Sequence, residues 1–286
     1  MSGAGTPPVS ATRDDYHGKY DSPEKVERVR NFSGLRGVRI FDATDPMNIS
    51  LLSEWACDQG DPSRAVQTGG GTHRNYYSGG RYAYLDSAPD DSFVHLENEF
   101  RLHSNCIQTV DLSDPAKPKF VSNWWLPGQR ASEEQAYQRW RYAGDRTSWT
   151  GFHGPMYVPV KVEDGGRYGY SSYGHFGVFI HDVSDPAKPL LVGKFDPAPQ
   201  PGGIAFHTVD VTRLDRGIIL ASPETLNPDC NETWQDTYVL DVSDVTRPSA
   251  VSRLPIPAPP EEAPYTTFCN KRGRFGTHNP MHAKAP

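Results

Sequence analysis

The chain has 286 residues, a formal net charge of −6, 26 Gly, 26 Pro and 32 aromatic residues (14 Tyr, 12 Phe, 6 Trp). It is long enough to bury a sizeable core and too aromatic for a disordered polymer. It has no long basic run, which argues against nucleic-acid binding, and no apolar run of the ~18 residues that a membrane span needs.

Residues 1–33 are polar and read as a tail, with a short helix expected over SPEKVERVR. The tail lacks the apolar stretch of a signal peptide, which points to the cytoplasm for the sequence as written. Cys57, Cys106, Cys230 and Cys269 are scattered and form no C-x-x-C pair, so zinc-ribbon and thioredoxin-like readings have no support. Their spacing leaves disulfide pairing open.

From Gly37 the chain repeats itself. GVRIFDATDPMNISLLSEW is followed by CIQTVDLSDPAKPKFVSNWWLPG from Cys106, GVFIHDVSDPAKPLLVGKFD from Gly177 and TYVLDVSDVTRPSAVSRLPIP from Thr237. Each is a β-branched and aromatic run, a D-x-[ST]-D turn and a second apolar run, the pattern of a hairpin. Asp45, Asp114, Asp185 and Asp244 suit Asx turns, and Pro46, Pro115 and Pro186 pre-set φ beside them. Turn chemistry accounts for these aspartates without a metal or a catalytic role.

The spacing of Asp42, Asp111, Asp182 and Asp241 is too long for two strands per repeat. Two more runs precede each later hairpin: HRNYYSGG and RYAYLDS, then HGPMYVPVKVEDGG and RYGYSSYG, then HTVDVTRLD and RGIILASP. The unit predicted is therefore four antiparallel strands, and units of that size in series predict an all-β β-propeller over residues 34–286. The motifs CIQTVDLSDPAKP, GVFIHDVSDPAKP, TYVLDVSDVTRP and GVRIFDATDP resemble those of the LVIVD-repeat β-propeller family. That resemblance implies an architecture and says little about activity. The first hairpin lacks a preceding strand pair, and GTHNPMHAKAP at the end supplies an inner strand without its partners. The expectation is a longer propeller truncated here; the alternative is closure by this last strand.

His73, His153, His207 and His278 fall at the same place in four units, in GTHR, GFHG, AFHT and GTHN, at the start of the innermost strand. Four imidazoles facing one axis suit a divalent transition metal, Fe, Mn, Cu or Zn. The long insertions fall on the same face, and Ser132 is expected to cap a helix running to about Tyr142 over the pocket. Glu224 and His175, each near the end of a second strand, are the candidate catalytic acid–base groups. His95, Glu97, Glu99, His103 and Glu232 lie in the insertions and are within reach of the same face. His181 reads as a core residue, and His282 falls on the strand face of His278. The function these features predict is a metal-dependent enzyme, an oxidoreductase (oxygenase) or hydrolase, acting on a small organic substrate. The alternative is a non-catalytic propeller that binds a protein or carbohydrate.

Overall fold

The structure is a computed structural model that describes residues 2–4, 34–58, 68–93, 105–133, 135–136, 151–197, 204–225, 229–231, 236–255, 257–271 and 273–279. Fourteen strands form four antiparallel sheets. The first sheet holds β1 (Ser2–Ala4), β2 (Gly37–Asp42) and β3 (Ser50–Ala56). The second holds β4 (Gly71–Tyr76), β5 (Tyr82–Ala88), β6 (Cys106–Asp111) and β7 (Lys119–Trp124). The third holds β8 (Tyr168–Ser172), β9 (Val178–Asp182) and β10 (Leu190–Phe195). The fourth holds β11 (Ile204–Asp210), β12 (Ile218–Glu224), β13 (Tyr238–Asp241) and β14 (Ser249–Arg253). Among the described residues the four sheets do not form a closed ring.

The repeated aspartates build the same turn four times. The Oδ1 atoms of Asp45, Asp114, Asp185 and Asp244 accept the N–H two residues on, at 3.0–3.1 Å. Each of these residues also gives its carbonyl to the N–H three residues on, at 2.9–3.0 Å. Asp42, Asp111, Asp182 and Asp241 cap the preceding turn in the same way at 2.8–3.0 Å. The turn aspartates thus find their partners within three residues, a local arrangement that fixes the turn and with it each hairpin's register. One bulge follows in each hairpin at the same register position.

Neighbouring sheets are joined through these turns. The Ser53 hydroxyl on β3 donates to Pro115 O at 2.6 Å, and Ser122 on β7 donates to Pro186 O at 2.7 Å. Gly193 holds the corresponding place on β10, where a Cβ would lie 1.8 Å from Val245 O. Three apolar layers fill the gaps between sheets. Val38 and Ile40 meet Ala83 and Leu85; Tyr84 and Ile107 meet Met156 and Phe179; Val178 and Ile180 meet Phe206 and Leu240. Alternation along β5 sends Leu85 to one neighbour and Tyr84 to the other. Full burial of each large side chain contributes roughly 1.5–3 kcal/mol.

Several expectations need correction. Backbone pairing joins Ser2–Ala4 to Gly37–Arg39, so part of the expected tail belongs to the first sheet; its expected helix lies outside the described residues. The third sheet has three strands instead of four. Its expected inner strand shrinks to one bridge, Tyr157↔Tyr170, because Pro155 and Pro159 flank Tyr157 and have no N–H to donate. Of the four repeated histidines, His73 and His207 lie in strands; His153 and His278 lie outside them. Residues 280–286 and most of the expected helix after Ser132 fall outside the described residues, as do His95, Glu97, Glu99, His103, Glu232 and His282. Within that insertion Ala131–Glu133 form one 3-10 turn, fastened by Trp125 Nε1 and Gly128 N donating to the Glu133 carboxylate. His181 is fully buried, as expected, edge-on to Trp124 at 4.3 Å between ring centroids.

Candidate metal centre

The four repeated histidines meet. Ring centroids are 4.9 Å apart for His73–His153, 4.8 Å for His153–His207 and 4.1 Å for His207–His278. β4 and β11 present His73 and His207. His153 is carried by backbone bonds from His153 N and Gly154 N to Ser172 O, at 3.3 and 3.2 Å, which hold its segment along β8. Gly154 is required there, since a Cβ would sit 2.1 Å from His207 O.

Glu224, the last residue of β12, points into this group. Its Oε2 lies 3.3 Å from His207 Nε2, 3.6 Å from His153 Nε2 and 3.7 Å from His278 Nε2. The ligand atoms of His153, His207 and Glu224 all fall within 4.8 Å of one another. Metal bonds of ~2.1 Å at tetrahedral or octahedral angles separate neighbouring ligand atoms by about 3.0–3.4 Å. The Glu224 Oε2–His207 Nε2 spacing falls in that range, the other carboxylate–imidazole spacings are a few tenths of an ångström above it, and a set extending to 4.8 Å must draw inward to close on an ion.

The residues that follow each histidine form a second tier. They are Arg74, Gly154, Thr208 and Asn279. Asn279 Oδ1 accepts from Arg74 Nη1 at 2.8 Å and from the Thr208 hydroxyl at 2.9 Å. With its proton engaged there, the Thr208 oxygen can only accept from His207 Nδ1, 2.7 Å away. Neutral His207 therefore carries its proton on Nδ1. Its Nε2 lone pair faces Glu224 Oε2 and, at 3.0 Å, His278 Nε2. Asn279 Nδ2 lies 3.4 Å from His278 Nδ1 and donates there, so His278 carries its proton on Nε2 and gives it to the His207 lone pair; a metal ion would take that proton's place.

Burial and mutual repulsion hold these rings neutral. His207 and His153 are both shifted well below the usual imidazole range, first by desolvation and then by neighbouring positive groups. For His207 the largest of those is His153, and for His153 it is His73. His73, with one face open to solvent, shifts the same way through desolvation and Arg74, with Glu224 opposing. Neutral imidazole is the metal-binding form.

His175 lies buried in the 3-10 turn Gly174–Phe176 that follows β8, and its charge acts on His153, but it is not one of the clustered donors. Glu224, expected as an acid–base group, instead stands among the candidate ligands.

The Arg274–Asn279 arm is pinned in place. The Cys230–Cys269 disulfide spans a sequence separation of 39, and Asp229 N donates to Gly273 O at 3.0 Å. Asp229 and Cys230 take left-handed backbone there, at φ 58° and 56°. The Thr225 hydroxyl donates to Phe275 O at 3.1 Å, and Phe275 stacks on Phe268. The disulfide region thus sets His278 over Glu224. Cys57 and Cys106 are buried free thiols. Arg74, Thr208, Asn279 and Arg274 escaped the sequence reading, although the position after each repeated histidine was the signal for three of them.

Fold and site define an all-β repeat protein with a histidine–carboxylate cluster in which His153 and His207 are buried and His73 and His278 reach solvent. Residues 165–197, the stretch that spans β8 to β10, match the LVIVD repeat, so the chain carries at least one repeat of that family. No curated protein matches the chain significantly. No helix among the described residues is long and apolar enough to cross a membrane.

Proposed function

We propose that the chain is a metal-dependent enzyme built on β-propeller blades. One divalent transition metal, Fe, Mn, Cu or Zn, would bind His153, His207 and Glu224, with His278 and His73 completing the ring. The reading rests on one observation above the rest: the Arg74–Asn279–Thr208 chain fixes the His207 tautomer so that its Nε2 lone pair faces Glu224 at 3.3 Å. That is the outer-sphere arrangement typical of metal-bound histidine. A bound ion supplies Lewis-acid chemistry and open positions for a small organic substrate. His175 is proposed as the proton-transferring group beside His153. Residues 34–286 are proposed as one domain, with Ser2–Ala4 attached to its first sheet. The Cys230–Cys269 disulfide favours an oxidising compartment over the cytoplasm.

The test is a metal count on protein purified without chelator and after exposure to Fe(II), Mn(II), Cu(II) and Zn(II). About one tight ion per chain is expected. His207→Ala and Glu224→Gln should lose it while keeping the wild-type circular dichroism spectrum. A folded chain that retains none of the four metals overturns the proposal.

A further inference from the structure

The joints between consecutive sheets use the same parts. A strand position of one sheet, serine in two of the three cases, meets the carbonyl that follows the turn aspartate of the next sheet, and an apolar layer lies alongside. The first and fourth sheets each carry one half of this joint left over. On the first sheet, Pro46 O is the counterpart of Pro115 O and Pro186 O, and it accepts no hydrogen bond among the described residues. On the fourth, Ser252 pairs with Val239 as Ser53 does with Ile40 and Ser122 with Thr109, yet its described bond is the local one to Arg253 O.

Burial sets these two faces apart from the filled ones. Phe41 is 39% exposed, whereas Val110, His181 and Leu240 at the same register position are buried. Ile49 is 59% exposed, while its counterparts Pro189 and Pro248 are buried and Pro118 is partly buried. On the fourth sheet Val239 is partly exposed where Ile40, Thr109 and Ile180 are buried. Leu220 is partly exposed where Tyr84 and Tyr170 are buried. Val192 packs into the apolar layer between the third and fourth sheets, but Val251, in the same place on β14, is 56% exposed.

We infer that the fourth sheet of one copy of this chain docks on the first sheet of a second copy, head to tail, just as consecutive sheets dock within one copy. Ser252 donates to Pro46 O of the second copy, and Leu220, Val239 and Val251 cover Phe41 and Ile49. The occupant is a second copy because the chain itself carries both complementary halves. Pairing two first sheets or two fourth sheets would leave the serine–carbonyl bond unmade. Such a heterologous contact builds a ring where its rotation closes and a filament where it does not.

Sedimentation equilibrium over a concentration series measures the association. Wild type should form dimers or larger assemblies. Phe41→Glu and Val251→Glu, one on each face, should each weaken association at least about tenfold, and Ser252→Ala about fivefold. Because Ser252 acts only across the contact, its loss should leave the unfolding of the dissociated chain unchanged. Mixing the Phe41→Glu and Val251→Glu proteins should restore a two-chain complex, since the first keeps an intact fourth sheet and the second an intact first sheet. Ile49→Glu repeats the first-face test at a more exposed position, and circular dichroism checks that each variant is folded. A wild type that stays monomeric throughout overturns the inference. So does association that survives either single variant, or a mixture that forms no complex. None of these readouts depends on a bound metal.

Discussion

Replacing His181 with leucine should stabilise the protein, and by more at acid pH than at neutral pH. His181 is fully buried on β9, and neither ring nitrogen has a hydrogen-bond partner among the described residues. The same register position holds Phe41, Val110 and Leu240 in the other hairpins, each paired as His181 is with Leu191. Removing an unsatisfied buried polar group while keeping the volume contributes about 1–3 kcal/mol. A second effect depends on pH. Burial pushes the His181 pKa down to about 3, against about 6.5 in the unfolded chain. Between those values the unfolded state binds the extra proton, so native stability falls as pH falls. At ~1.4 kcal/mol per pH unit, wild type should lose roughly 3 kcal/mol from this group between pH 6.5 and pH 4. Urea unfolding of both proteins at pH 7.5, 5.5 and 4 measures the gap, and contributions from the other histidines cancel in the difference. A gap that stays constant across the series would refute the claim that His181 is buried as a neutral ring.

Three further variants follow from the contacts described. Cys230→Ser, or reduction of the native protein, should lower stability by up to about 4 kcal/mol from loop entropy at a separation of 39. Because the same link pins the arm that carries His278, metal affinity should weaken as well; thermal melts and metal titration with and without reductant check both effects. Ser122→Ala should cost about 1–2 kcal/mol in urea unfolding, since its buried hydroxyl satisfies Pro186 O. Ser252→Ala, at the matching place on β14, should cost almost nothing, because that hydroxyl's described bond is a local one to Arg253 O.

The hairpins were legible because their signals are local. Asp45 and its three counterparts find partners two and three residues away, so the motif and the fold coincide. The histidine set was legible because repetition aligned residues far apart in sequence. The rest is non-local or depends on groups a repeat pattern does not weigh. The bond from Arg74 to Asn279 crosses 205 positions, and that from Thr208 to Asn279 crosses 71. The missing inner strand of the third sheet followed from Pro155 and Pro159, which the apolar pattern of HGPMYVPV concealed. Cys230 and Cys269 are joined across a separation of 39, beside left-handed backbone at Asp229 and Cys230 that no motif in the sequence signals.

The serine-to-turn contact between sheets has a consequence for how such a chain can grow. The donor, a strand serine, and the acceptor, the carbonyl of the residue after the turn aspartate, belong to the same hairpin. Ser122 reaches forward to Pro186, while Pro115 of its own hairpin receives Ser53. A copy that keeps the serine, as the second hairpin does, therefore brings both halves of the joint. A duplicated hairpin can be inserted between two existing ones, receiving from the one before and giving to the one after, without any neighbour having to change. The replacement of the donor by Gly193 shows how far one joint can drift while adjacent ones keep the chain in order.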